Sequence, residues 1–334
     1  MSNAERLVEV WRGGILESQH RGHAVVVDKT GAIVHAWGDP DQVILPRSSA
    51  KMLQALPLVE SGAADAAGLT TEQLALSCAS HQGAAIHTDR VTHWLADMGL
   101  GADDLRCGPQ WPADKPAKVG LIKTDDSPCR IHNNCSGKHA GFLTLSRHMG
   151  ATDPEYVDVD HPIQVAIKQA FEEVTDEVSP GYGIDGCSAP NHASSLLGMG
   201  RAMAGFAAAK EDGDARARAS VRLREAMMLH PDLVAGETRA CTELMRSAPG
   251  KVALKTGAEA FFVAIIPELE VGVALKIEDG STRASECAVA AILVKLGVLD
   301  PAHPDVKKRL NPDVLNFAGL NTGSIRPSEA LLTL

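Results

Sequence analysis

Apolar and polar positions alternate near both ends of this chain and recur at three- and four-residue intervals through its middle. Close to the start, Val8 to Trp11 and His23 to Asp28 carry the period-two, β-branched pattern of strands. Lys29-Thr30-Gly31 reads as a hairpin turn and Ala32 to Trp37 as the return strand. Toward the end, Val252 to Lys255, Ala260 to Ile266 and Val271 to Ile277 read as strands separated by short breaks, and Ser281 to Leu296 as an amphipathic helix. The middle predicts helices. One runs from Ser48 to Glu60, bent or ended near Pro57. Another begins at Thr71 with Thr70 as its cap, followed by Thr88 to Met98, Asn133 to Met149, Asp160 to Val174, Ala193 to Ala209, Ala215 to Leu229 and Glu237 to Arg246. Residues 103–132, rich in Pro, Asp, Gly and Lys, predict a long irregular loop, and Gly181 to Cys187 a glycine-rich turn.

Short turns between successive strands imply antiparallel pairing. The expectation is an α/β (α+β) fold. One antiparallel sheet draws on residues from about 6–40 and 250–280, and a helical lobe occupies about 45–248. Because both ends contribute to one sheet, the chain reads as a single domain over 1–334.

Composition narrows the partners. A 45% apolar content supports a large core, and with aromatics at only 4% that core must be built mainly from Ala, Leu, Val and Ile. A net charge of -10 argues against nucleic acid or an anionic membrane as the main partner. No run approaches the ~18 apolar residues of a membrane span. Met1 to Arg6 lacks a basic region leading into an apolar one. An odd number of cysteines, seven, fits reduced thiols, so a cytoplasmic protein is expected.

Several clusters carry candidate chemistry. Ser48 and Lys51 stand at i and i+3, one helix face, where an uncharged lysine can take the proton of a serine nucleophile; the alternative is a helix N-cap and a solvated surface charge. Ser49 is the rival nucleophile, but its i+2 spacing points it elsewhere. Arg47 suits a substrate carboxylate, or is a surface charge. Lys255-Thr256-Gly257 closes a strand, its glycine allowing a ligand backbone to come close. Ser80, in Cys78-Ala79-Ser80-His81, is either a second catalytic serine paired with Lys255 or a helix C-cap. Cys135, Lys138 and His139 share a helix face at i, i+3 and i+4; Cys187 and Cys241 supply further thiols. Thiolate and imidazole suit zinc, although the spacing is that of no compact zinc finger and buried inert thiols are the alternative. Asp185 either binds a substrate ammonium or caps its turn.

Ser-x-x-Lys followed by Lys-Thr-Gly belongs to the signature set of serine β-lactamases and penicillin-binding proteins. The Ser-Asp-Asn triplet of that set is absent, which argues against β-lactam hydrolysis. Five motifs taken in order, Pro46-Arg47-Ser48-Ser49-Ala50-Lys51, Ser77-Cys78-Ala79-Ser80-His81, Asn134-Cys135-Ser136-Gly137-Lys138-His139, Asp185-Gly186-Cys187-Ser188-Ala189-Pro190 and Lys255-Thr256-Gly257-Ala258-Glu259, resemble the rhizobial-type L-asparaginases. The resemblance spans nearly the whole chain. It implies a serine β-lactamase-like fold and a homodimer that hydrolyses L-asparagine to L-aspartate and ammonia. It implies two Ser–Lys tandems, Ser48 with Lys51 and Ser80 with Lys255. It implies a zinc ion held by Cys135, Lys138 and Cys241, with Cys187 nearby as a non-ligand. That ion would orient substrate or hold helices rather than carry the chemistry. Arg47, Asp185 and His139 match the family's substrate-site positions. A glutaminase or other β-lactamase-like amidohydrolase, and a non-catalytic sensor of an amino acid or zinc, are the alternatives.

Overall fold

The computed structural model describes residues 3–333; residues 1, 2 and 334, at the ends of the expected domain, lie outside the described residues. Contacts group the chain into two compact units. The first takes the chain up to Ser49, Ser194–Ala208 and everything from Glu243 onward; the second takes Ala50–Ala193 and Ala209–Thr242. The fold is mixed α/β with an antiparallel sheet, as the hydrophobic pattern predicts.

The first unit is built on an eight-stranded sheet. Its order runs Asp313–Leu315, Asn321–Pro327, Glu5–Arg12, Ile15–Asp28, Val271–Ile277, Phe261–Ile266, Ala253–Thr256, with Ile33–Trp37 also paired to Ile15–Asp28. Every pairing is antiparallel; Val26 faces Val273, which faces Ala264. The central strands are apolar without alternation because both faces are covered: Ala24 to Val27 and Phe261 to Ile265 are fully buried. The helices Leu196–Ala208 and Thr282–Lys295 pack on this sheet. Glycine permits the first of these to approach closely. A Cβ at Gly272 would lie 2.3 Å from Ala204 N and 2.5 Å from Gly200 O, so strand and helix meet backbone to backbone.

Three features of the sheet depart from the pattern. The second strand begins at Ile15, not His23, because its first half lies at the surface and carries polar residues. The strands Asp313–Leu315 and Asn321–Pro327 give little apolar signal, since Asn321 to Ser324 are half-exposed or exposed. They nevertheless complete the sheet beside Glu5–Arg12. The Leu196–Ala208 helix, expected in the helical lobe, belongs to the sheet unit.

The second unit is helical apart from the short hairpin Tyr182–Ile184 with Pro190–His192. Its core includes Leu53, Leu56, Leu76, Phe142, Leu145, Phe171, Leu223 and Met227. The expected helix from Ser48 to Glu60 is instead a 3-10 turn, Arg47–Ala50, followed by helices Lys51–Gln54 and Leu56–Glu60. Pro57 has no N–H to offer the Leu53 carbonyl, so one continuous helix cannot form. Thr70 caps Thr71–Ser77 in a reciprocal box with Gln73. The expected loop 103–132 contains a helix, Lys115–Lys123, whose first turn is capped by the Asp114 carboxylate accepting from Ala117 N–H at 2.8 Å. None of its residues is buried, which is why no amphipathic pattern announces it. Among the described residues, no helix is long and apolar enough to cross a membrane.

Candidate active site

In the sheet unit, the 3-10 turn carries Arg47 and Ser48, both half-buried, with Arg47 in the left-handed region at φ 51°. Ser49 is fully buried and faces the carbonyl oxygens of Lys255 at 3.0 Å and Phe261 at 3.3 Å, so its hydroxyl donates inward to the sheet. Ser49 is thus a structural tie between the turn and the sheet. Gly257 has the matching role. A Cβ there would lie 2.6 Å from Pro46 O and 3.0 Å from Ser49 Oγ, so its lack of a side chain admits this chain's own turn rather than a ligand backbone. Lys255 is buried beside this turn, its ammonium donating to Thr256 O at 2.7 Å.

In the helical unit, Lys51 is fully buried and donates to Ala79 O, to Ser80 Oγ at 3.0 Å and to Cys135 Sγ at 3.1 Å. Ser80 is thus bonded to Lys51. The segment that carries Ser80 is pinned on both sides: Ser80 N–H donates to Val234 O at 2.8 Å and His81 N–H to Asn134 O at 3.2 Å. His81, which the sequence reading passes over, completes the fastening. Gly83 N–H donates to its Nδ1 at 3.1 Å, so Nε2–H donates to Ser136 Oγ at 2.9 Å, and that hydroxyl donates to Ile131 O at 2.8 Å. Burial first, with His87 and Lys51 adding to it, pushes the His81 imidazole well below its ordinary value. Its adjacency to Ser80 is the only sequence signal for it.

Cys135 caps the Ser136–His148 helix, and Lys138 and His139 follow in its first turn, all buried. Lys138 donates to Cys187 Sγ at 3.1 Å. Cys187 sits in a tight turn in which Asp185 N–H donates to Ala189 O at 3.0 Å and Ser188 adopts φ 69°. A hydrogen bond from the Cys135 thiol, then the Lys138 charge and His139, hold Cys187 well below the ordinary thiol range against the opposing effect of burial. The same bond, together with burial, pushes Cys135 up. Burial opposes the Lys138 charge, but Cys187, Cys135 and Asp185 outweigh it and hold this lysine above its usual value. Both directions favour a thiolate at Cys187 beside an ammonium at Lys138. The sulfur found beside Lys138 belongs to Cys187, while Cys241 is buried at the start of the Ala240–Ser247 helix. Among the described residues, no three His, Cys, Asp or Glu side chains gather into a metal-binding group.

A family model described as L-asparaginase II matches residues 8–327. Comparison with curated proteins finds no match. Among solved structures, the chain is similar to the native form of Mglu, at 12% identity over 87% of this chain and 68% of that one, with a TM-score of 0.44. It is similar also to a β-lactamase from Mycobacterium bovis, at 13% identity over 83% and 95% with a TM-score of 0.38. A third is the octameric penicillin-binding protein homologue from Pyrococcus abyssi, at 13% over 84% and 74% with a TM-score of 0.35. These scores carry no argument; the family match over residues 8–327 alone shows the family. The chain belongs to the L-asparaginase II family, whose members are asparaginase-type amidohydrolases.

Proposed function

We propose that this protein hydrolyses L-asparagine to L-aspartate and ammonia through a serine ester. The observation that carries the reading is the buried contact of Lys51 Nζ with Ser80 Oγ at 3.0 Å, an amine and an alcohol removed from water. Ser48 attacks the side-chain amide carbon, and Lys51, uncharged at that moment, takes the hydroxyl proton. The tetrahedral oxyanion collapses, the C–N bond breaks, and Ser80 with Lys255 passes a proton to the departing nitrogen as ammonia leaves. Water then attacks the β-aspartyl ester, returning the proton to Ser48 and releasing aspartate. A backbone N–H facing the oxyanion contributes about 3 kcal/mol of barrier lowering. Arg47 holds the α-carboxylate, Asp185 the α-ammonium, and His139 lines the substrate position. The contact of Lys51 with Ser80 supports a relay in which the two serine–lysine pairs share protons.

Zinc fits the donors that surround Lys138. Two sulfurs and an amine suit a soft, four-coordinate ion, and a thiolate is already favoured at Cys187. Cys135, Lys138 and Cys187 would hold it, Cys241 being the further thiol that the resemblance names; Lys138 must lose its proton to join. Bound there, zinc would supply positive charge and rigidity. All seven cysteines are free thiols, which supports a reducing, cytoplasmic setting, and the family resemblance supports a homodimer.

The test is ammonia release from L-asparagine and from L-glutamine, with and without a chelator. Ser48→Ala is expected to abolish turnover with metal content unchanged. Retained turnover in that variant would move the chemistry away from the serine, and a preference for glutamine would replace the substrate.

A further inference from the structure

His139 follows Lys138 in the first turn of the Ser136–His148 helix, and its side chain is fully buried. Its Nδ1 lies 2.8 Å from the hydroxyl of Tyr156, itself fully buried. The two rings meet edge to face, with centroids 5.5 Å apart and planes at 68°. The hydroxyl has one other partner among the described residues, the backbone N–H of Arg106 at 2.8 Å. An amide N–H can only donate, so the Tyr156 oxygen accepts there. Its own hydrogen then has a single acceptor within reach, His139 Nδ1. A hydrogen on Nδ1 would leave the phenolic hydrogen buried without an acceptor, which is costly. Nδ1 is therefore bare, and the imidazole hydrogen sits on Nε2. That nitrogen is buried and has no hydrogen-bond partner among the described residues.

We infer that Tyr156 is a positioning residue that fixes His139 as the Nε2–H tautomer, so that on its Nε2 side the imidazole presents a hydrogen-bond donor and not a base. The base work is left to the lysines. Phe142 braces the pair, its ring 5.5 Å from His139 and 6.4 Å from Tyr156, and Gln164 Nε2 donates to Tyr156 O at 2.8 Å, holding the backbone. The tyrosine comes from the loop before the Pro162–Thr175 helix, and no motif in the sequence marks it.

The experiment is isotope-edited NMR of histidine-labelled protein as purified, with the His139 ring assigned by its loss in His139→Gln. Wild type is expected to show one neutral tautomer, protonated at Nε2. Tyr156→Phe keeps the ring but removes the hydroxyl, and is expected to show a mixture in which Nδ1 also carries hydrogen. The kinetic arm rests on the asparaginase reading above: kcat for asparagine falls about tenfold in Tyr156→Phe. Glutamine has no tautomer and its amide N–H stands in for Nε2–H. In the His139→Gln background the tyrosine change is therefore expected to alter kcat less than about twofold. A wild-type ring protonated at Nδ1 overturns the inference. So does an unchanged single tautomer in Tyr156→Phe, or an equal loss in both backgrounds, which would make the tyrosine a packing residue. Should wild type release no ammonia from asparagine, the asparaginase reading falls while the tautomer measurement still decides this inference.

Discussion

Replacing Gly257 with alanine perturbs a place where the turn bearing Ser48 is held against the sheet. The new methyl would stand 2.6 Å from Pro46 O, 3.0 Å from Ser49 Oγ and 3.2 Å from Ser49 N. Two of these are backbone atoms, so no side chain can swing aside. Comfortable contact begins at 3.4 Å, and the Pro46 carbonyl must retreat by about 0.8 Å. Overpacking of this size destabilises by about 1–3 kcal/mol. The same retreat carries Ser48 with it, and a displacement approaching 1 Å at a reacting group costs ~100-fold in rate. The expected result is a lowered urea midpoint together with a kcat for ammonia release reduced by about two orders of magnitude. Gly205→Ala is the control. It lies exposed within the Leu196–Ala208 helix with nothing within 4 Å of a new Cβ, and should gain about 0.5–1 kcal/mol with full activity. A Gly257→Ala protein as stable and as active as its parent would refute the account of how the turn is held. A destabilised one with undiminished kcat would separate the turn from the chemistry.

Further expectations follow from single contacts. Ser49→Ala should cost about 1–2 kcal/mol in urea unfolding through the lost bond to the sheet, while Ser48→Ala leaves the midpoint within about 0.5 kcal/mol and removes turnover. Thr70→Ala should cost about 1 kcal/mol by opening the capping box, with no kinetic consequence. In metal-free protein, ultraviolet difference spectra at neutral pH should reveal a thiolate that Cys187→Ser removes and Cys287→Ser does not, since burial pushes Cys287 up. Because the folded value of Cys187 is depressed, its stabilising contribution is complete above the unfolded thiol value of 9.0 and is lost as pH falls through the folded value. The urea midpoint of Cys187→Ser should therefore depend less on pH below 9.0 than that of wild type; an unchanged slope would deny the thiolate.

The sheet was legible because its central strands are continuous apolar runs, as in Phe261 to Ile266, and because short breaks force antiparallel neighbours. Strands at the sheet's edge escaped notice for the opposite reason: Ile15 to Arg21 and Asn321 to Ser324 are largely solvent-facing and carry polar residues. The motif residues were legible as types, but their partners were not. Lys51 donates to Ser80, twenty-nine residues further along, a contact that no local spacing announces. Cys187 meets Lys138 because a turn with a left-handed Ser188 folds it inward, an event without spacing in the sequence. Tyr156 is invisible for the same reason: a lone aromatic in a polar loop signals nothing until the helix beside it supplies an imidazole.

The sheet's threading has a consequence for synthesis. The Glu5–Arg12 strand emerges from the ribosome long before its outer neighbour, Asn321–Pro327. Until that neighbour is made its backbone groups on that side lack their partner, and an open strand edge invites pairing with another nascent chain. Premature termination before Asn321 would make that transient state permanent, so shortened products should aggregate although every catalytic candidate has already been made.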